Sequence, residues 1–187
     1  TEWLDRLGID YVEGGWPGSN PKDREYFEQV GDLPLSHARV TAFGSTRRAK
    51  AAVEDDRRLA ALVDAGTAVV AVFGKSWLLH VAEVLRTTPE ENLRMIAETI
   101  EYLRDAGRRV LFDAEHFFDG YRDDAQYALE TLDAAAGAGA EVLVLCDTNG
   151  GTLPSRIATV VAQVGRRICT PLGIHAHNDI ETAVGGT

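Results

Sequence analysis

Two histidines near the C-terminus have the spacing that most clearly predicts chemistry. His175 and His177 stand two positions apart, at the end of the apolar run 171–176. Alternate residues of a strand point to the same side, so both imidazoles can reach one ion. We therefore expect a divalent metal that acts as a Lewis acid, Mn²⁺ or Mg²⁺ first, with Zn²⁺ and Co²⁺ also compatible. Two unrelated histidines on an exposed edge strand are the alternative.

Carboxylates end several of the other apolar runs. Glu115, Glu13 and Asp147 each stand at or just beyond such a run, and they are our candidate catalytic residues. The two glutamates are candidates for proton transfer or for orienting a substrate. Asp147 is a candidate metal ligand, or a partner that holds a histidine. The alternatives are structural salt bridges for the glutamates and a turn for the aspartate.

Cations and cysteines complete the set of reactive side chains. Lys75 and Arg47 follow two further apolar runs and are candidates for binding a carboxylate or a phosphate of a substrate. Surface ion pairing is the alternative, above all for Arg47. Cys146 and Cys169 form no motif, and we interpret both as core residues of a protein from a reducing compartment.

Alternating strands and helices must position these residues. Six short apolar runs predict strands, and they span 9–13, 38–43, 68–73, 109–114, 141–146 and 171–176. Asn20-Pro21 and Thr88-Pro89 predict the starts of two of the helices between them. Such repeats predict a parallel sheet, either an open doubly wound sheet or a barrel. The chain contains neither Gly-x-Gly-x-x-Gly after a strand nor a Walker loop, which weakens the nucleotide-binding interpretation.

The polar strand ends favour a TIM barrel. A parallel barrel builds its active site at the C-terminal ends of its strands, where the candidate residues gather. Six strands in 187 residues fall short of the eight strands and about 250 residues of that fold. We therefore predict an α/β fold, a partial (β/α)₈ barrel over residues 1–187 that holds strands 2–7. The first and last strands and any C-terminal regulatory domain are expected to be absent from it.

The charge balance excludes several classes of function. Acidic residues number 29 against 19 basic ones, which gives a net charge of −10. A nucleic-acid groove or an anionic membrane surface attracts the opposite sign. No apolar run is long enough for a membrane span and no signal peptide opens the chain, so we expect a cytoplasmic protein without nucleic-acid or membrane partners.

Several longer motifs resemble those of the citramalate synthases, in order along nearly the whole chain. They lie at 11–23, 42–48, 73–77, 113–121, 145–154 and 173–179. The strings His-x-His-Asn-Asp and Asp-Thr-x-Gly are similar to those of a broader metal-dependent TIM-barrel superfamily. That superfamily includes 2-isopropylmalate synthase, homocitrate synthase and HMG-CoA lyase.

The resemblance implies an acyltransferase that condenses acetyl-CoA with pyruvate. The products would be (R)-citramalate, an entry to isoleucine and so to branched-chain amino acid biosynthesis, and free CoA, which is released when water hydrolyses the thioester formed in the condensation. The ion would be held by His175, His177 and an aspartate of a first strand that this chain lacks. Glu115, or a water that it orders, would help to remove a proton from the thioester methyl group. Thr148 would donate to the substrate carboxylate, and the full-length form would be a homodimer.

Two alternatives stay open. The same barrel and metal would also serve a related 2-isopropylmalate or homocitrate synthase, or a lyase of the HMG-CoA type. In the second alternative the chain is not an enzyme but a truncated, inactive barrel fragment, because the absent strands remove part of the metal site.

Overall fold

Six parallel strands form one sheet in the computed structural model, which describes residues 1–187. The strands are β1 (Tyr11–Gly15), β2 (Arg39–Ser45), β3 (Val69–Lys75), β4 (Arg109–Glu115), β5 (Val142–Asp147) and β6 (Leu172–Ala176). They pair in sequence order from β1 to β6, as in a barrel wall, and not in the reversing order of a doubly wound sheet. All six predicted strands are therefore confirmed.

Helices alternate with the strands along the chain. They are α1 (Glu2–Arg6), α2 (Pro21–Val30), α3 (Arg57–Asp64), α4 (Leu78–His80), α5 (Pro89–Asp105), α6 (Phe117–Asp123), α7 (Ala125–Gly137), α8 (Pro154–Val164) and α9 (Ala183–Gly186). Both predicted starts are confirmed: the Asn20 side chain accepts the Asp23 N–H, and the Thr88 hydroxyl accepts the Glu91 N–H. None of these helices is both long enough and apolar enough to cross a membrane.

Two short helices were missed by the sequence analysis. They are α4, which continues as a π-helical turn over Val81–Leu85, and α6. Each is too short for an apolar stripe to repeat, so periodicity gives little signal.

Two apolar layers cover the two faces of the sheet. The outer layer has 26 buried residues and the inner layer only three, so most apolar burial lies beneath the helices. Phe112 of β4 is fully buried in the outer layer. The inner layer consists of Val69, Ala71 and Leu111. The strand alternation thus leaves the inner face free for polar side chains near the strand ends.

Gly120 permits a close approach of α6 to the end of β3. A Cβ atom at Gly120 would overlap the backbone carbonyl of Ser76. The residue before α6, His116, adopts the left-handed conformation with φ of 56°. This tight junction brings His116 next to Trp77, with ring centroids 5.9 Å apart.

The outer strands β1 and β6 each have one edge without a partner in the sheet. Beside β6 runs a groove of about 480 Å³ between this strand, α8 and α9. Its apolar lining includes Ile157, Val161, Leu172 and Ile174. This side of the molecule therefore combines an open strand edge with an apolar surface.

Candidate metal centre and active site

The C-terminal strand ends bring charged residues onto the inner face. Alternate residues of a strand point to the same face of the sheet. Residues an even number of positions from Val69, Ala71 or Leu111 on the same strand therefore point to the inner face. On β3 this rule selects Lys75, and on β4 it selects Asp113 and Glu115. The inner face near the strand ends is therefore a cluster of carboxylates with a few cations.

The predicted metal-binding histidines lie side by side. The ring centroids of His175 and His177 are 5.0 Å apart, and their planes meet at 39°. The His175 side chain is half exposed, so an ion can enter. Two neighbouring imidazoles beside carboxylates are a donor set that fits a divalent metal ion. Their assignment as ligands stays a prediction that this geometry supports.

Asp113 was not assigned a role from the sequence, and it lies next to His175. Its Oδ2 atom is 3.8 Å from Nδ1 of His175, and this carboxylate raises the pKa of the imidazole. Asp113 stands two residues before Glu115, so strand alternation alone places both on one side. That spacing is the signal that could have identified it.

Cys146 was interpreted as a core residue, and it is buried on the same inner face. Its Sγ atom, a carboxylate oxygen of Asp113 and a ring nitrogen of His175 all lie within 4.8 Å of one another. Burial raises the pKa of the Cys146 thiol strongly, and the surrounding carboxylates add to this effect. The second cysteine, Cys169, is exposed, which contradicts the interpretation of it as a core residue.

Glu13 of β1 faces the same cluster. Loss of solvation among the neighbouring strand ends raises the pKa of Glu13, and repulsion from Asp113 raises it further, while His175 opposes both effects. A carboxyl group that holds its proton more readily than usual is suited to acid–base chemistry. Glu13 therefore shares the inner face with Asp113 and His175, and its catalytic role stays a prediction.

Glu115 forms an ion pair with Lys75 across β3 and β4. The two residues are register partners, and their side chains are only 24% and 14% exposed. The backbone carbonyl of Lys75 also accepts a hydrogen bond from Asn92 at 2.8 Å, which anchors this end of β3. The salt bridge considered as an alternative for Glu115 is therefore present. If Glu115 transfers a proton, it does so while it is paired with Lys75.

Thr148 and Asp147 are adjacent in sequence, but their side chains contact different residues. The Thr148 hydroxyl oxygen accepts the N–H of His116 at 2.9 Å, which leaves its proton free to donate. Asp147 is buried, and its carboxylate accepts both the N–H and the hydroxyl of Thr152, at 3.1 and 2.8 Å. The structure thus ties Asp147 to the turn after β5 and does not bring it to the inner face.

Arg47 is buried and engaged with α5. Its guanidinium pairs with Glu91 at 2.8 Å and with Glu98 at 2.6 Å. A cavity of about 460 Å³ opens beside it, at the ends of β2 and β3. The lining contains four cationic side chains, which are Arg47, Arg48, Arg58 and Lys75. Arg48 and Arg58 both pair with Asp56, and Lys75 pairs with Glu115, so an anionic ligand in this cavity would compete with existing ion pairs.

Trp16 forms part of the wall of this cavity. Its ring meets those of Phe43 and Phe73 edge-on, with centroids 6.4 and 5.7 Å away. The two phenylalanine rings are stacked at 5.5 Å. This aromatic cluster gives the cationic cavity one rigid, apolar side.

A second pair of histidines lies in the segments that follow β3 and β4. The rings of His80 and His116 meet edge-on with centroids 4.3 Å apart, and Nδ1 of His116 is 3.3 Å from the Asp119 carboxylate. Nδ1 of His80 is buried without a hydrogen-bond partner. Burial lowers the pKa of His80, and the charges of His116 and Lys75 lower it further.

Comparison with known proteins identifies the family of this chain. A family model described as HMGL-like matches residues 1–187, which is the whole chain. The chain belongs to the HMGL-like family. It is 55% identical to an (R)-citramalate synthase of Synechocystis sp., over 98% of this chain and 35% of that protein. It is 30% identical to a 2-isopropylmalate synthase of Methanocaldococcus jannaschii, over 98% of this chain and 33% of that protein.

The HMGL-like chain therefore spans about a third of the length of the curated relatives it matches. Among solved structures, an HMG-CoA lyase of Bacillus subtilis superposes with a TM-score of 0.78 at 17% identity. The match covers 99% of this chain and 62% of that one. This similarity confirms the fold class predicted from the sequence, a partial TIM-type barrel.

Proposed function

We propose that this chain is part of an (R)-citramalate synthase, which condenses acetyl-CoA with pyruvate. The observation that carries the proposal is the 55% identity to a citramalate synthase over almost the whole chain. The identity to a 2-isopropylmalate synthase over the same span is only 30%, which favours pyruvate over a larger oxo acid. The first and last barrel strands and any regulatory domain lie, in this proposal, outside residues 1–187.

The paired imidazoles of His175 and His177 support a divalent ion, which we propose to be Mn²⁺ or Mg²⁺. When bound there, it would supply Lewis-acid polarisation of the 2-oxo acid. Hard ions of this kind also take carboxylate oxygens, and the inner face offers several near the histidines.

The chain's own residues supply proton transfer and substrate orientation. Glu115, whose direction is fixed by the ion pair with Lys75, accepts a proton from the thioester methyl group directly or through one water. Glu13, whose pKa is raised chiefly by loss of solvation, would deliver a proton to the former ketone oxygen. Thr148 donates to the substrate carboxylate, because its own oxygen is already occupied by the His116 N–H. We give Asp147 a structural role in the turn after β5.

We propose that acetyl-CoA, the second substrate, binds in the cationic cavity at the ends of β2 and β3. Acetyl-CoA carries several phosphates, and Arg47, Arg48, Arg58 and Lys75 line this cavity. The aromatic wall beside them offers a surface for apolar parts of the cofactor. A cytoplasmic homodimer acting in isoleucine biosynthesis belongs to the same proposal.

The test begins with the intact mass of the purified protein, compared with the 20.3 kDa of these residues. The protein at its native length is then assayed for release of CoA thiol from acetyl-CoA. Pyruvate, 2-oxoisovalerate and 2-oxoglutarate are offered in turn, with Mn²⁺ present. We expect release with pyruvate. Release with 2-oxoisovalerate but not pyruvate would replace the proposal by a 2-isopropylmalate synthase, and no release with any acid would reject synthase activity.

A further inference from the structure

The inner face carries a second group of metal-ligating atoms, which shares His175 with the proposed histidine pair and adds Asp113 and Cys146. Asp113, Cys146 and His175 offer an oxygen, a sulfur and a nitrogen, all within 4.8 Å of one another. The three residues come from the adjacent strands β4, β5 and β6, and Cys146 and His175 are register partners. Rigid strands therefore hold all three donors together.

We propose that Asp113, Cys146 and His175 form a site for a thiophilic divalent cation of the Zn²⁺, Co²⁺ or Cd²⁺ class. One thiolate, one imidazole and one carboxylate are ligand types that Zn²⁺ takes in proteins, commonly with three protein ligands and one open position. Mg²⁺ and Mn²⁺ prefer oxygen ligands and gain little from sulfur. The presence of Cys146 thus selects a different class of ion from the histidine pair.

Access and charge both favour such an ion. Asp113 and Cys146 form a buried floor with 6% and 5% of their surfaces exposed, whereas the His175 side chain is 52% exposed and open to solvent. The nearby carboxylates of Glu13 and Glu115 add negative charge that attracts a cation, but the same charges help to keep the Cys146 thiol protonated, so the ion competes with that proton. When the ion binds, the thiol proton passes to solvent and the sulfur–metal bond forms, without any change of oxidation state.

His175 belongs both to this site and to the proposed histidine pair. A neutral imidazole has one nitrogen lone pair, so His175 can serve only one ion at a time. The two sites therefore exclude each other. A thiophilic ion bound by Cys146 would displace Mn²⁺ from the histidine pair, and this consequence alone rests on the proposed function.

Cobalt spectroscopy tests the site without any assay of activity. The metal-free protein at its native length is titrated with Co²⁺, and we expect a near-ultraviolet thiolate-to-cobalt charge-transfer band that saturates at one equivalent. Cys146→Ser should abolish the band. Cys169→Ser is the matched control, because it removes the exposed thiol and should leave the band intact. Asp113→Asn should keep the band and weaken Co²⁺ binding.

Manganese binding separates this inference from the proposed function. His177→Ala should keep the cobalt band but weaken Mn²⁺ binding by more than about tenfold, since even outer-shell partners of a metal contribute about 10–100-fold. Cys146→Ser should keep the wild-type affinity for Mn²⁺. The inference is rejected if the wild-type protein gives no band, if the band survives in Cys146→Ser, or if Cys169→Ser removes it. If the wild-type protein gives the cobalt band but does not bind Mn²⁺, the result counts against the histidine pair only.

Discussion

At the scale of single residues, the ion pair between Glu115 and Lys75 decides how the proposed base can act. We expect Glu115→Gln to lower kcat by about 10²–10⁴-fold, the usual contribution of a positioned acid or base. KM for pyruvate should change little, because the amide keeps the size of the side chain. Steady-state kinetics of the protein at its native length measure both constants.

Glu141→Gln is the matched control for this experiment. Glu141 also forms an ion pair with a cation, Arg109, but at the opposite end of the barrel wall. It should retain the wild-type kcat. Full turnover in Glu115→Gln would remove Glu115 from the mechanism.

His80 predicts a pH dependence of stability. Its pKa is lowered from the usual 6.5, chiefly by burial, so the unfolded chain takes up a proton more readily than the folded one. The free energy of unfolding should therefore fall as the pH falls below the usual imidazole pKa of 6.5. His80→Asn should flatten that part of the profile, measured by urea unfolding between about pH 8 and pH 5.5. An unchanged slope in the variant would assign the pH dependence to other groups.

At the scale of elements, the close contact between α6 and the end of β3 depends on Gly120, which has no side chain. Gly120→Ala would push a methyl group into the Ser76 carbonyl, and we expect a loss of about 1–3 kcal/mol in the free energy of unfolding, as for overpacked cores. Gly137→Ala is the matched control, since no atom lies within 4 Å of its Cβ position at the end of α7. That change should be neutral or stabilising by about 0.4–1 kcal/mol.

Urea unfolding of the two glycine variants gives the comparison. Equal stabilities for Gly120→Ala and Gly137→Ala would mean that α6 can move away from β3 without loss. Because α6 carries the packing around His116, a displaced α6 should also disturb the hydrogen bond from His116 to Thr148.

The strands were predictable and part of the site was not, for different physical reasons. Strands buried on both faces have continuous apolar sequences, and their order along the chain follows from repeated crossovers. The roles of Asp147 and Cys146 depend instead on which side of β5 each side chain faces. Because they are neighbours on a strand, Asp147 and Cys146 must point to opposite faces of the sheet. The sequence alone does not say which of the two faces inward. Asp113 was overlooked because its partner, His175, is distant in the chain.

At the scale of the whole molecule, the open edges of the sheet predict association. The unpaired edge of β6 adjoins an apolar groove, and exposed edges and apolar patches are both sites of intermolecular contact. Residues 1–187 expressed by themselves should form oligomers in light scattering and should bind an apolar dye. The same measurements on the protein at its native length are the control. A monomeric 1–187 that binds no dye would contradict the prediction.

The aromatic wall of the cationic cavity also gives the protein an optical reporter. Trp16 is packed against Phe43 and Phe73 and faces the cavity directly, while Trp3 is 76% exposed near the N-terminus. Residues 1–187 contain three tryptophans, so in these residues Trp3→Phe and Trp77→Phe leave Trp16 as the only source of indole emission. A ligand that fills the cavity excludes water from that ring and shifts its fluorescence, so occupancy can be followed in real time and without a label.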